Sequence, residues 1–197
     1  MPEIARREAA GRRRPLRLHG RLSEAALVRA AQRGSESAVA ELFERHWSGA
    51  YRAAVLVTGD RAAAEDIAQE AFLAALRALP RFDLRRPLRP WLHRIVVNRA
   101  IDWSRARAHR AEVGGDAVLD VAALDEESSP PRALDDDVMV ALMRLGPEQR
   151  AVVVLRYLLD YTPGEIAAAL DLPRGTVNSR LRRGLDALGD WVQEDLR

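Results

Sequence analysis

The stretch TPGEIAAALDLPRGTVNSRLRRGLDAL, residues 162–188, decides how the C-terminal part of the chain folds. Thr162, Pro163 and Glu165 place a capping hydroxyl, a proline at the first helical position and a carboxylate three residues after the cap. This reciprocal arrangement satisfies the free amides of a helix start. Ile166, Ala167 and Leu170 supply that helix with an inner face, and Leu172-Pro173 breaks it. Val177, Leu181, Leu185 and Leu188 return at helical spacing, which predicts a second helix packed inward through those four residues. Arg174, Asn178 and Arg182 are left facing outward, with Thr176, Ser179, Arg180 and Arg183 on the adjoining flanks. A solvated surface helix has the same spacing. The capped helix before it, the short turn between the two and an acidic stretch upstream favour a helix laid in the major groove of DNA. There arginine and asparagine read base edges while neighbouring side chains hold phosphates.

Working outward, the remaining composition is that of a helical protein. Of the 197 residues 48% are hydrophobic and 30% charged, enough to bury a core under a solvated surface. Long alanine-rich runs without β-branched alternation point to an all-α chain, and the length suits two small cores. The formal net charge of +2 argues only weakly for a polyanionic partner, so the placement of the cations has to decide. All 31 cationic side chains of the Lys+Arg class are arginine, which GC-rich coding explains and which also gives each a planar fork for phosphate or guanine. Cysteine is absent, removing disulfides, thiol nucleophiles and cysteine-based zinc sites. The four histidines, His19, His46, His93 and His109, lack metal-ligand spacing, and neither a Gly-rich phosphate loop nor a Ser/His/Asp arrangement stands out. The chain is expected to need no cofactor and not to be an enzyme. Without a signal sequence or a run of ~20 apolar residues, it is expected in the cytoplasm.

Four segments follow one another. Residues 1–21 form an arginine-rich tail without helical period. Residues 22–110 carry four helical patterns. The first is capped by Ser23. A second starts near Glu36 with a stripe of Val39, Leu42, Phe43, Trp47, Ala50, Tyr51, Ala54 and Val55. The third follows Thr58-Gly59-Asp60 and ends before Pro80. The fourth runs from Trp91 toward Arg110, after the loop PRFDLRRPLRP. Short connections predict a compact bundle. Residues 111–134 are acidic and contain Gly114-Gly115 and Pro130-Pro131, the composition of a linker. Residues 135–197 hold four more helical segments, ending in the opening stretch and its continuation.

Three motifs in this order resemble a known family. EIAAALDLPRGTVNSRLRRG is similar to the region 4 helix-turn-helix of extracytoplasmic-function sigma factors, the small two-domain branch of the sigma-70 family. GDRAAAEDIAQEAFLAALRAL resembles their regions 2.1 to 2.2, and RPWLHRIVVNRAIDWSRARAHR their regions 2.3 and 2.4. The resemblance spans about residues 22–188. It implies an N-terminal bundle that grips core RNA polymerase and the −10 promoter element, and a C-terminal domain that reads the −35 element. On the third helix Asp66, Gln69 and Glu70 share one side, and the resemblance implies that they dock on the polymerase clamp with Phe72 nearby. By residue type alone they make an ordinary solvated face.

On the fourth helix Leu92, Val96 and Trp103 form a core stripe, and Arg94, Asn98 and Arg105 a polar one edged by Asp102. The resemblance assigns −10 contacts to Arg94, Asn98 and Arg105, with the preceding loop accepting a base turned out of the stack. Trp91 reads either as a stacking platform or as a core tryptophan. The loop departs from the family's small polar stretch. Its two prolines stiffen it, and Arg85 and Arg86 offer phosphate contacts. Asn178 stands where a basic residue is commoner and favours adenine over guanine. The resemblance also implies promoter DNA and core RNA polymerase as partners, with an anti-sigma factor, membrane-bound or not, to hold the protein inactive. The competing reading is a free-standing helix-turn-helix regulator whose N-terminal bundle senses or dimerises. Such a domain has no reason to contain AEDIAQEAF and WLHRIVVN in that order.

Overall fold

Side-chain caps set where the helices begin. In the computed structural model, which describes residues 22–114 and 136–195, all regular elements are helical. The hydroxyls of Ser23 and Ser35 accept the amides of Ala26 and Ala38, and these start α1 (Glu24–Gln32) and α2 (Glu36–Thr58). Gly59 then takes a left-handed conformation, φ 69°, which ends α2, and the Asp60 carboxylate accepts the Ala63 amide to start α3 (Arg61–Ala78). A 3-10 turn, Leu79–Arg81, leads into the loop before α4 (Leu88–Gly114). This helix begins three residues ahead of the expected Trp91, because Pro90 lies in its first turn, where a missing amide breaks no intrahelical bond. It also runs through Gly114, into the stretch read as linker. The basic tail and residues 115–135 lie outside the described residues.

The second half holds α5 (Asp136–Arg144), α6 (Pro147–Val153) continued by a π-helical turn (Val154–Leu158), α7 (Pro163–Leu170) and α8 (Arg174–Asp195). The capping box at Thr162 and Glu165 is present in both directions, with the Thr162 amide donating to the Glu165 carboxylate over 2.8 Å. The inner line of α8 departs from expectation at Leu185, which is 42% exposed, while the buried Gly184 faces inward instead. A Cβ at Gly184 would lie 2.9 Å from Val153. The close approach of α8 to α6 therefore requires the glycine and turns Leu185 out toward solvent.

The two helical domains are present as expected, and their cores join where they dock. One contiguous apolar cluster runs from Ala50, Ala54, Val57, Ile67 and Val96 through Leu142, Val152, Leu155, Ile166 and Val177. Packing of α4 on α6 and α7, and of α2 on α5, α6 and the π turn, brings the halves together. Both faces of α4 are needed for this. Val97, Ala100 and Ile101 are buried alongside Leu92 and Val96, a broader stripe than one amphipathic face would show. A smaller satellite core forms where Leu27, Val28 and Ala31 of α1 meet Leu79, Phe82 and Leu88, and burying each of its larger side chains contributes roughly 1.5–3 kcal/mol.

Candidate nucleic-acid and polymerase interface

The helix-turn-helix presents its arginines as the spacing predicts. Val177 and Leu181 are buried, and Arg174, Asn178, Arg182 and Arg183 are exposed on the outer side of α8. Asp171 takes a left-handed conformation, φ 54°, so that the chain turns from α7 into α8 within three residues. Thr176 and Ser179 are half-buried, and the Ser179 hydroxyl donates to the Thr176 carbonyl over 2.9 Å. Arg183 Nε donates to the Ser179 carbonyl over 3.3 Å, which steadies the side chain along its own helix while leaving it exposed. Arg180 is half-buried, close enough to Glu148 for its charge to act there.

Glu148 links the two candidate DNA faces. It stands in the first turn of α6, and its carboxylate accepts a hydrogen bond of 2.7 Å from Arg105 Nε of α4. Burial pushes the Glu148 carboxyl up, yet the Arg105 hydrogen bond and the charges of Arg105 and Arg180 hold it below the ordinary carboxylate value. Arg105, read as a −10 contact, is thus paired across the junction, and it also lies 3.6 Å from Asp102. Arg94 is exposed and Asn98 half-buried on the same helix.

Trp91 is half-buried with its ring 4.7 Å from that of Phe82, which supports the core reading of the two left open. In the loop, Arg85 pairs with Asp83 at 3.1 Å, and Arg85 and Arg86 are both exposed. The Asp83 carboxyl is held below its usual range by the side-chain and backbone hydrogen bonds from Arg85.

On α3, Asp66, Gln69 and Glu70 are exposed on one side as expected, with Gln69 donating to Glu65 over 3.3 Å and Arg99 reaching Glu70 over 3.0 Å. Phe72 does not join them. It is 7% exposed, with its ring 4.8 Å from Phe43 and 5.9 Å from Trp47, so it serves the core and cannot present its ring to a partner. The most exposed apolar side chain on that side is Leu73, at 53%, with Leu76 at 36% one turn on. Sequence reading missed it, although a residue seven after Asp66 and four after Gln69 returns to the same face. Phe43, placed in the core stripe of α2, is 40% exposed.

The junction between the halves is polar as well as apolar. Arg150, 7% exposed, donates to the carbonyls of Leu142 at 2.9 Å, Met143 at 3.1 Å and Leu145 at 2.9 Å, and across the junction to Val57 at 2.7 Å. Burial pushes its guanidinium down to about 10, which still leaves it charged at neutral pH. At its other end the junction buries His93, whose Nδ1 shares a hydrogen bond of 3.0 Å with the Tyr161 hydroxyl, while Arg89 donates to the Leu159 carbonyl over 3.4 Å. Met143 also packs so closely on the turn after α2 that a Cβ at Gly59 would lie 2.2 Å from its sulfur. None of these contacts was read from the sequence.

Burial, with the charge of Arg89 beside it, pushes His93 down to about 4. Below its ordinary value near 6.5 the unfolded chain therefore takes up a proton that the folded chain refuses until pH ~4, so stability present above pH ~6.5 is lost as pH falls through that window. The shift corresponds to ~3 kcal/mol. Urea unfolding of the wild type and His93→Gln at pH 7 and pH 4.5 checks it. The difference between the two proteins is expected to shrink toward the lower pH, and an unchanged difference would refute the assignment.

Among the described residues no helix is long and apolar enough to cross a membrane. Comparison with known proteins matches two family regions in succession along the chain. Residues 42–110 match the Sigma-70 region 2 family and residues 135–188 match Sigma-70, region 4. The chain is 30% identical over 178 residues to the ECF RNA polymerase sigma factor SigW of Bacillus subtilis, covering 85% of this chain and 95% of that one. It is 35% identical over 177 residues to SigL of Mycobacterium tuberculosis, covering 87% and 92%. Among solved structures it resembles CnrH in complex with the cytosolic domain of CnrY, with a TM-score of 0.65, 28% identity and coverage of 87% of this chain and 98% of that one. The fold is also that of RpoE from Bartonella quintana, solved with the anti-sigma factor NepR, at a TM-score of 0.62 and 21% identity over 78% of this chain and 95% of that one. With the acidic α3 face, the polar face of α4 and the arginine face of α8 following one another as regions 2 and 4 do, and with relatives matched over nearly their whole length, the chain belongs to the ECF sigma factors of the sigma-70 family, regulators of transcription rather than enzymes.

Proposed function

We propose that the protein binds core RNA polymerase, directs it to promoters through −10 and −35 elements and promotes DNA melting there. The observation that carries this reading is the exposed row Arg174, Asn178, Arg182 and Arg183 on a helix fixed by a capped partner, downstream of the acidic α3 face. In this reading α8 enters the major groove at the −35 element. Asp66, Gln69, Glu70 and Leu73 dock on the polymerase, with Leu73 in the role first read for Phe72. Arg94, Asn98 and Arg105 meet the −10 strand, while Arg85 and Arg86 contact phosphates beside it. Taking a base out of the stack costs a few kcal/mol, which these contacts and a pocket for the base must offset.

Two promoter elements at separate places are out of reach of two domains locked together, and the Arg105–Glu148 pair holds one candidate contact at the junction. Promoter engagement on this account therefore includes a step in which the halves part and Arg105 exchanges Glu148 for phosphate. An anti-sigma factor is the proposed holding partner, as CnrY and NepR accompany the two solved neighbours.

The −35 assignment is tested on α8. Arg180→Ala or Arg183→Ala is expected to weaken promoter binding by about 1–3 kcal/mol if the side chain reads a base, and by less if it meets only phosphate. Holoenzyme binding to promoter fragments at fixed salt measures this. Unchanged affinity in both variants would contradict the placement of α8 in the groove.

A further inference from the structure

The loop between α3 and α4 is tethered at both ends by one short helix. At its entry the Gln32 carboxamide donates through Nε2 to the carbonyls of Leu79 and Phe82, each over 3.0 Å. At its exit Glu24 Oε1 accepts the Leu88 N–H over 3.3 Å, an amide of the first turn of α4 that has no partner within its own helix. Gln32 and Glu24 are the two ends of α1, about 12 Å apart along a helix rising 1.5 Å per residue. Between them Leu27, Val28 and Ala31 are buried in one cluster with Leu79, Phe82 and Leu88. The second Glu24 oxygen lies 3.1 Å from His46 Nε2 on α2. Within the loop the Asp83 carboxylate accepts the Arg85 amide over 3.0 Å and the Arg86 amide donates to the Asp83 carbonyl over 3.0 Å. The ends are held and the turn is closed, while Arg85, Arg86 and Pro87 are exposed at its tip.

We propose that α1 is a brace for the promoter-reading loop, and that Gln32 and Glu24 are positioning residues that set discrimination among −10 bases without touching DNA. The proposal rests on the assignment of this loop and α4 to the −10 strand made above. A loop that must receive an unstacked base loses conformational freedom on binding, and a brace that orders it beforehand removes that loss from the binding step. The two kinds of contact divide the work. Burial of Leu79, Phe82 and Leu88 keeps the loop attached to the bundle. The three polar bonds orient its backbone, because carbonyls and an amide accept only particular directions. Removing a polar bond therefore leaves the fold in place and loosens the tip.

The test uses full-length protein reconstituted with core polymerase and a pool of fork-junction DNA randomised across the single-stranded −10 overhang. Enrichment of each base is read by sequencing, and association with core and helicity are measured in parallel. In Gln32→Met and Glu24→Met, which keep the stem and delete the polar end, the ratio of preferred to disfavoured base is expected to fall about tenfold, in line with the sensitivity of recognition to loosened positioning. Core association is expected to stay within about twofold of wild type, and Glu24→Gln, which retains an acceptor oxygen, is expected to keep the ratio. Undiminished discrimination in both Met variants would overturn the brace. If Gln32→Met fails to fold, the Glu24→Met and Glu24→Gln pair decides, and equal ratios in that pair overturn it as well. Absence of any base preference in the wild type is a different result, since it removes the −10 reading on which the brace depends.

Discussion

Replacing Arg150 by methionine is expected to lower the free energy of unfolding by about 3 kcal/mol. The guanidinium is buried and its donors reach four backbone carbonyls, three around the end of α5 and one at the end of α2. Those carbonyls sit at helix C-termini, where partial negative charge gathers and a cation is favourable. A hydrogen bond from a charged donor contributes ~1.5–3 kcal/mol, against which stands the several kcal/mol needed to take the cation out of water. Methionine removes that desolvation term but leaves the Met143 and Leu145 carbonyls without the donor, whereas Leu142 keeps the Leu145 amide and Val57 the Ser104 hydroxyl. The two groups left unpaired, with the lost charge-assisted bonds, dominate. Since the Val57 bond is the one that crosses between halves, the loss also loosens their docking. Denaturant unfolding monitored by circular dichroism checks the first effect, and a rise in hydrodynamic radius at low denaturant checks the second. A change below ~1 kcal/mol would mean that water reaches these carbonyls once the arginine is gone.

The second large effect is expected at α3. Asp66→Arg reverses the charge of an exposed side chain between Ile67, which is buried, and the rest of the acidic face, and no ion pair among the described residues depends on it. Folding is therefore left alone, and the surface-substitution range of about ±0.5 kcal/mol applies to stability. Binding is another matter. A like-charge juxtaposition across an interface costs several kcal/mol, so association with core polymerase is expected to fall at least ~100-fold. Sedimentation or gel filtration with core polymerase, beside a helicity measurement, separates the two consequences. Normal association would remove α3 from the interface and would leave the Leu73 assignment without support.

How much of this could be read from residues alone depends on the range of the interaction concerned. Helix starts at Ser23, Glu36, Asp60 and Thr162 were legible because a cap is a bond between neighbours in sequence. The arginine face of α8 was legible for the same reason, since three- and four-residue spacing settles which side chains share a side. Finer placement failed where a second helix had to be known. Leu185 is exposed because Gly184, not a leucine, allows α6 to approach, and Phe72 is buried because Phe43 and Trp47 stand over it from α2. The start of α4 at Leu88 is not legible because a proline reads as a boundary although it also fits the first turn of a helix. The continuous core was not legible at all. Its makers, Arg150, His93 and Tyr161, are separated by many residues, and each reads as an ordinary polar side chain until α4 and α6 are placed together.

The central claim is that this chain supplies promoter choice to a polymerase that performs the chemistry. Its most direct test is run-off transcription by core RNA polymerase on a pool of linear genomic fragments, with and without the protein, followed by mapping of transcript 5′ ends. The account predicts new transcripts whose starts share one upstream pair of sequence elements, and their loss with Asp66→Arg. A pool transcribed identically in both conditions, with no complex between the protein and core, would contradict it.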